Sequence, residues 1–467
     1  MTNYSVVTND RYRLNYHVMA PSGWINDPNG FSFFKGYYHI FYQYHPESAV
    51  WGPMHWGHAR SKDLVHWENL PIALFPGDEE DQDGCFSGSA IVKDDRLYLM
   101  YTGHNLHDKN NPDDYWQNQN IAVSDDGIHF TKCQDNPVIA EPPTDNAADF
   151  RDPKVRFENG KWLVVIGSKD QQGLGRVLQY QSTDLKNWTY VGPLATAESA
   201  DTQGFVWECP DLFKLAGQDI LIMSPQGIKP QELKYRNLFQ TIYLLGTVDS
   251  ATQQLNYHEF RELDHGHDFY APQSMLAPDG RRILFGWMDM WESDMPEQAD
   301  GWAGALTFPR ELHLNGDKLC MTPVQEIAQL REHLLVDEAD LQAKYCFATP
   351  TKSVEYLGEF DTTAAVEVKV TDTDDQVLVG LRFDPEKQKL ILEKYNDDLP
   401  REVAVTKIDD IHLLLDKSSV ELFVNNGEVC FSERIYDEKD FYIETSSDAE
   451  RFSIKAYQLG KGVFINE

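Results

Sequence analysis

RDPKVRFENGKWLVVIGS, residues 151–168, has the form of a β-hairpin. Val155-Arg156-Phe157 and Trp162 to Ile166 are runs of β-branched, aromatic and aliphatic residues, and Asn159-Gly160 between them is a turn pair suited to left-handed backbone. The pattern recurs. Asn26-Asp27-Pro28-Asn29-Gly30 leads into FSFF, a turn at Lys35-Gly36 and the strand YYHIFYQY, and Glu208-Cys209-Pro210-Asp211 leads into LFKL, a turn at Ala216-Gly217 and DILIMSPQG. Five such apolar segments start at Tyr37, Leu97, Lys161, Asp219 and Arg281, with spacings of 60, 64, 58 and 62 residues. Three are followed by Ser-x-Asp and an aromatic four residues later: Ser61 to Trp67, Ser124 to Phe130 and Ser182 to Trp188, in the same period. About sixty residues hold four strands with their loops, and such units repeated around a ring make a β-propeller. The alternative is a sandwich of similar strands, which does not explain two signatures sharing one period.

The period stops near residue 315. Pro323 to Leu335 has Val324, Ile327, Leu330 and Leu334 at helical spacing and predicts a helix. From Ser353 strands alternate again without the repeat, ending in a hairpin over Asn425-Asn426-Gly427. The expectation is an all-β chain: a five-bladed β-propeller over 1–315, a helical linker over 316–350, and a C-terminal β-sandwich over 351–467.

Composition excludes several function classes. With 41 Lys and Arg against 75 Asp and Glu, the formal charge of −34 repels phosphate backbones and anionic lipid, and no basic cluster offsets it. Neither a nucleic-acid nor a membrane partner is expected. The first thirteen residues lack a secretory pattern, and six scattered cysteines lack CxxC spacing, so a reduced, cytoplasmic protein is predicted. Asp78 to Gly84 superficially resembles a calcium loop, but Ala90 stands where a bidentate Glu is needed, so the stretch reads as a solvated acidic turn. No metal and no cofactor are expected.

Asp27, Asp152 and Glu208 lie 10, 9 and 11 residues before their strands and read as equivalent positions of one motif. Equivalent positions on a ring face one funnel, where Phe86-Ser87-Gly88-Ser89 and His267-Asp268-Phe269-Tyr270 supply hydroxyl and further acidic groups. Like charges held together are costly unless used. Glycosidic-bond hydrolysis uses them: one carboxyl protonates the leaving oxygen while another attacks or orients water at the anomeric carbon. Six tryptophans, Trp24, Trp51, Trp56, Trp207, Trp287 and Trp291, sit in or beside these loops as stacking faces for sugar, one or two of them as core.

Trp24 to Gly30, Phe41-Tyr42-Gln43, Phe86 to Ser89, Arg151-Asp152-Pro153 and Glu208-Cys209-Pro210 together resemble the ordered signature of the retaining β-fructofuranosidases, glycoside hydrolase family 32. The resemblance runs from about Tyr16 to Arg310. It implies hydrolysis of sucrose or sucrose 6-phosphate, with Asp27 as nucleophile, Glu208 as acid and then base, and Asp152 holding fructosyl hydroxyls beside Arg151. Asn26, Gln43, Trp51, Phe86 and Ser87 match positions lining the family's fructose pocket, and Tyr270 and Trp287 match less closely. A fructosyltransferase or fructan hydrolase would share all three acids, and a sugar-binding propeller would not need them. A phosphorylated substrate would require a cation near the leaving sugar; Arg60, Lys62, Lys169, Lys234 and Arg236 are the candidates. The partner is a small sugar, and oligomeric state is not legible.

Overall fold

The computed structural model describes residues 4–397 and 399–464. Strands Gly23–Phe34, Tyr37–His45, His55–Ser61 and Trp67–Leu74 form the first antiparallel sheet. Gly84–Lys93, Arg96–Leu106, Tyr115–Ser124 and Thr131–Lys132 form the second. Two groups, Asn146–Glu158 to Thr189–Thr196 and Val206–Leu215 to Leu255–Tyr257, are joined through the single pair Ser168 and Trp207. Tyr270–Leu276, Arg282–Trp287, Arg310–Asn315 and Lys318–Pro323 make the last sheet before the C-terminal domain. The leading strands, beginning at Gly23, Gly84, Asn146, Val206 and Tyr270, pack against one another in chain order, and the last packs against the first. This closed ring is the propeller.

The Ser-x-Asp signature is a turn device. Asp63 accepts the backbone N–H groups of Val65 and His66, Asp126 those of Ile128 and His129, and Asp184 those of Lys186 and Asn187, each at 2.8–3.1 Å. The serine two residues earlier donates to the same carboxylate in all three turns. The carboxylate thus satisfies backbone donors that no strand reaches.

The chain between the domains departs from the predicted helix. Only Gln325–Leu330 coils, as a short 3₁₀ segment, and Arg331–Thr349 is a nineteen-residue strand paired antiparallel with Phe441–Leu459. Val324, Ile327 and Leu330 are buried in the propeller-side core while Leu334 is 53% exposed, so the helical spacing covers one turn only. Backbone pairing with a neighbouring strand outweighs helix propensity here. Residues 331–349 are therefore sandwich rather than helical linker, and Lys318–Pro323 completes the last propeller sheet beyond residue 315.

In the sandwich, Phe441–Leu459 pairs through its first part with Val366–Asp372 and through its last part with Ser353–Thr362, tying two layers around a separate apolar core. The main core crosses the domain boundary, with Leu414, Phe423, Cys430 and Leu459 packed among propeller residues. Val463–Phe464 returns to pair in parallel with Trp67 and Glu68, on the outer strand of the first sheet. Among the described residues no helix is long and apolar enough to cross a membrane.

Candidate active site

Each leading strand carries one extra residue against its partner at the same end. The irregularities fall between Ile25 and Pro28, Phe86 and Gly88, Arg151 and Lys154, Glu208 and Asp211, and Tyr270 and Gln273. A bulge breaks the alternation that sends neighbouring side chains to opposite faces. Its result is visible in a cleft of about 430 Å³, where Asn26 and Asp27, Phe86 and Ser87, and Arg151 and Asp152 line the wall as sequence neighbours. Prolines Pro28, Pro153, Pro210 and Pro272 sit in or at four of these bulges, where no ladder donor is lost. Asp152, Cys209 and Ala271 adopt left-handed backbone there, with φ of 65°, 47° and 48°.

The bulges correct one expectation. Asp27 and Asp152 lie inside their bulges, but Glu208 opens its own, at the place held by Arg151 and Tyr270 in neighbouring groups. The three carboxyls converge on the cleft from non-equivalent positions.

Asp27 Oδ2 accepts the Ser87 hydroxyl at 2.6 Å, and its Oδ1 accepts Asn26 Nδ2 at 3.0 Å. Asn26 is itself fixed by Trp24 Nε1 at 2.8 Å. Asp152 Oδ2 accepts the Cys209 N–H at 2.9 Å, and the Cys209 thiol lies 3.5 Å from Asp27 and 3.6 Å from Asp152. Glu208 is held entirely by donors: Arg151 at 2.9 Å, Gln226 Nε2 at 2.6 Å and the Tyr270 hydroxyl at 2.5 Å. Arg151 also donates to Asp149 at 2.6 Å, so its guanidinium bridges two carboxylates.

Burial, then the charge of Glu208, raises the pKa of Asp27 against the hydrogen bonds of Ser87 and Asn26 that pull it down. Asp152 is raised too, by burial first and then by Glu208 and Asp27, with Arg151 opposing. Burial disfavours the charge on Arg151, but Asp149 and Glu208 outweigh it and keep the guanidinium protonated. His104 is lowered to about 4 by burial and by Arg151, so the imidazole that stacks on Phe86 at 4.2 Å is neutral. Three carboxyls thus lie crowded out of water on one cleft, the set of groups that acid and nucleophile chemistry at one glycosidic bond draws on.

Asn26, Asp27, Gln43, Trp51, Phe86, Ser87, Arg151, Asp152 and Glu208 all line the cleft. Tyr270 is buried and acts on it only through Glu208. Trp287 does not line it; fully buried, it packs edge-on against Trp291 at 4.9 Å, and Trp291 is the ring that reaches the wall. Trp24, Trp56 and Trp207 are buried as well, which leaves Trp51 and Trp291 as the cleft's tryptophans and makes four of the six core. Asp268 turns away from the cleft, pairing with Lys394 and accepting the Arg434 N–H at 2.7 Å, and His267 bonds Glu433, because the sandwich covers this end of the strand. Asp81, in the supposedly solvated turn, is fully buried beneath Tyr101 and Lys132.

Sequence reasoning missed Asp83, His104, Leu106, Pro112, Tyr115 and Gln117, which complete the wall. They come from the second sheet's hairpin ends and carry no acidic-Pro motif. Of the cations considered for a phosphate, none lines the cleft: Arg60 pairs with Glu68, Lys62 lies over Tyr37, Lys169 pairs with Asp149, and Arg236 bonds the Pro400 carbonyl.

Residues 17–323 match the glycosyl hydrolases family 32 N-terminal domain, and residues 326–459 match the family 32 C terminal. A sucrose-6-phosphate hydrolase of Zymomonas mobilis is 41% identical over 473 residues, covering 95% of this chain and 90% of its own. A raffinose invertase of Escherichia coli is 42% identical over 435 residues, covering 91% and 90%. A GH32 beta-fructofuranosidase of Bombyx mori, solved as a mutant with sucrose, superposes with a TM-score of 0.90 at 40% identity over 98% of this chain and 96% of that one. Both halves are thus matched in order, the first of them holding the cleft and its three carboxyls, and the chain belongs to glycosyl hydrolase family 32.

Proposed function

We propose that the protein is a β-fructofuranosidase that cleaves the terminal β-D-fructofuranosyl bond of sucrose-type substrates with retention. Asp27, on the cleft floor, attacks the fructosyl anomeric carbon, and Glu208 gives its proton to the departing glycosidic oxygen. The Glu208 carboxylate then takes a proton from water as that water attacks the same carbon, releasing fructose and the free Asp27 carboxylate. Asp152 holds fructosyl hydroxyls, with Asn26, Gln43, Phe86 and Ser87 shaping the pocket and Trp51 the outer wall. Arg151 and Tyr270 aim Glu208. The observation that carries this reading is the convergence of Asp27, Asp152 and Glu208 on one cleft, with Glu208 oriented by three donors. Names of the relatives, which include an invertase and a beta-fructofuranosidase, support it. All six cysteines are unpaired, which suits the cytoplasmic location that belongs to the same proposal.

The test is turnover of sucrose by Asp27→Ala and Glu208→Gln. Each is expected to lower kcat by about 10³-fold or more, since a nucleophile or general acid contributes on that order. NMR of the first turnovers of the wild type should show β-fructofuranose before mutarotation. Full turnover by Asp27→Ala, or initial release of the α anomer, would refute the assignment.

A further inference from the structure

The donors that aim Glu208 rest on a loop that the C-terminal sandwich holds. Residues 227–241 run between the strands Gln218–Gln226 and Ile242–Val248 with no helix or strand of their own. Both donors on Glu208 Oε2 lean on this loop. Gln226, whose Nε2 reaches that oxygen at 2.6 Å, ends its strand, and its backbone pairs with Phe239 of the loop. Tyr270, whose hydroxyl reaches the same oxygen at 2.5 Å, packs against the Phe239 ring with 6.0 Å between centroids. Gln240, the next residue, donates its N–H to the Pro225 carbonyl at 3.1 Å and its Nε2 to the Asn237 carbonyl at 2.9 Å. Residues 237–240 and the end of the Gln226 strand are therefore one hydrogen-bonded unit.

What fixes that unit comes from the other domain. Arg401 opens the short strand Arg401–Ala404 at the edge of the sandwich sheet and is only 8% exposed. Its Nε and Nη2 both donate to Asn237 Oδ1, at 3.1 and 2.7 Å, and its Nη1 donates to the Leu399 carbonyl at 2.7 Å. Beside it, Arg236 Nη1 donates to the Pro400 carbonyl at 2.6 Å, and Asn237 Nδ2 donates to the Gly266 carbonyl at 2.8 Å. A planar guanidinium with two N–H groups on one oxygen fixes direction as well as distance. Asn237 has no strand to hold it, and Phe239 follows two residues later, so the place of the Phe239 ring depends on this anchor. A proton donor must lie within hydrogen-bond reach of the departing oxygen, which makes its orientation part of the rate. We propose that Arg401 is a positioning residue for the acid step: it holds the loop whose Phe239 and Gln240 set Gln226 and Tyr270 against Glu208. This inference rests on the reading of Glu208 as the proton donor given above.

A leaving group that needs no proton isolates this step. The glucosyl oxygen of sucrose must be protonated to leave, whereas p-nitrophenyl β-D-fructofuranoside releases a stable phenolate unaided. Comparing kcat/KM confines the measurement to formation of the fructosyl-enzyme and excludes the later step in which Glu208 acts as base. Arg401→Ala is expected to lower kcat/KM for sucrose about tenfold while the aryl fructoside stays within about twofold, since a displacement of about 1 Å at a reacting group costs up to about a hundredfold. Asn237→Ala removes the acceptor and leaves the sandwich side chain in place. It should give the same split, and it carries the test if Arg401→Ala fails to fold. Glu208→Gln provides the reference, with a far larger loss on sucrose than on the aryl fructoside. An equal loss on both substrates in either folded variant overturns the proposal, because a general disturbance of the fold would do the same. So does a sucrose value that neither substitution moves. Equal losses on both substrates in Glu208→Gln would instead remove the reading of Glu208 as the acid, and this inference with it.

Discussion

Ser87 shows how one side chain sets the working pH of another. Attack requires the Asp27 carboxylate, whose pKa burial and Glu208 raise and the Ser87 hydroxyl, at 2.6 Å, lowers. Removing that donor in Ser87→Ala raises the pKa further, so the acidic limb of kcat/KM moves to higher pH. The shift should be about one unit, since a hydrogen bond to a charged group contributes about 1.5 kcal/mol. A pH profile of sucrose hydrolysis reads it directly, and a limb that stays put or moves down would show that Ser87 does not govern Asp27. At this scale the sequence was informative where a motif marked the residue: the acids, Arg151, Ser87 and Gln43 were all legible. Asp83, Tyr115 and Gln117 were not, because nothing local distinguishes them from any polar residue at a strand end. Trp287 was expected at the pocket and lies in the core instead: it ends its strand while Trp291 follows in the next turn, and only packing against Trp24 decides which ring faces the cleft.

At the scale of the element, the bulges are what turn strands into a site. A period of two would bury one of each pair Asn26/Asp27 and Arg151/Asp152, and the extra residue lets both face the cleft. The prolines inside these strands were the available hint, since proline in a sheet sits at edges or bulges. A second irregularity in the first strand, between Asn29 and Ser32, holds Gly30 at φ 55°. A Cβ there would lie 2.6 Å from the Phe41 ring, in a backbone conformation that alanine disfavours. Gly30→Ala should therefore destabilise by about 1–3 kcal/mol. Denaturant unfolding followed by tryptophan fluorescence measures it, and an unchanged midpoint would mean that the strand absorbs the methyl. The predicted helix over 323–335 failed because its apolar spacing fits one turn inside the core, while the pairing that makes 331–349 a strand is contributed by residues 441–459, far away in the sequence.

Across the whole molecule, the two domains are locked by buried charge. His17 lies between Asp416 and Glu421 at 2.8 and 2.7 Å, Glu421 binds Arg310 at 2.5 Å, and Arg310 reaches Asp264 at 2.8 Å, all fully buried or nearly so. Burial works against the imidazolium, but the two carboxylates outweigh it and raise the His17 pKa to about 9. A pKa raised above its ordinary 6.5 contributes stability that is complete below about pH 6.5 and is lost as pH rises through about 9, roughly 3 kcal/mol in all. Unfolding midpoints should therefore fall across that window in the wild type, and the difference from His17→Gln should close by pH 9.5. A difference that is independent of pH would show that His17 is neutral in the folded protein. Period, turn residues and hydrophobic alternation were sufficient to determine an all-β chain, a repeated unit and a second β domain, because those features depend on neighbours in sequence. Tertiary structure alone decided which end of the repeat the sandwich covers, drawing Asp268 away to Lys394, and which cation remains at the cleft, because both depend on charges brought together from distant parts of the chain.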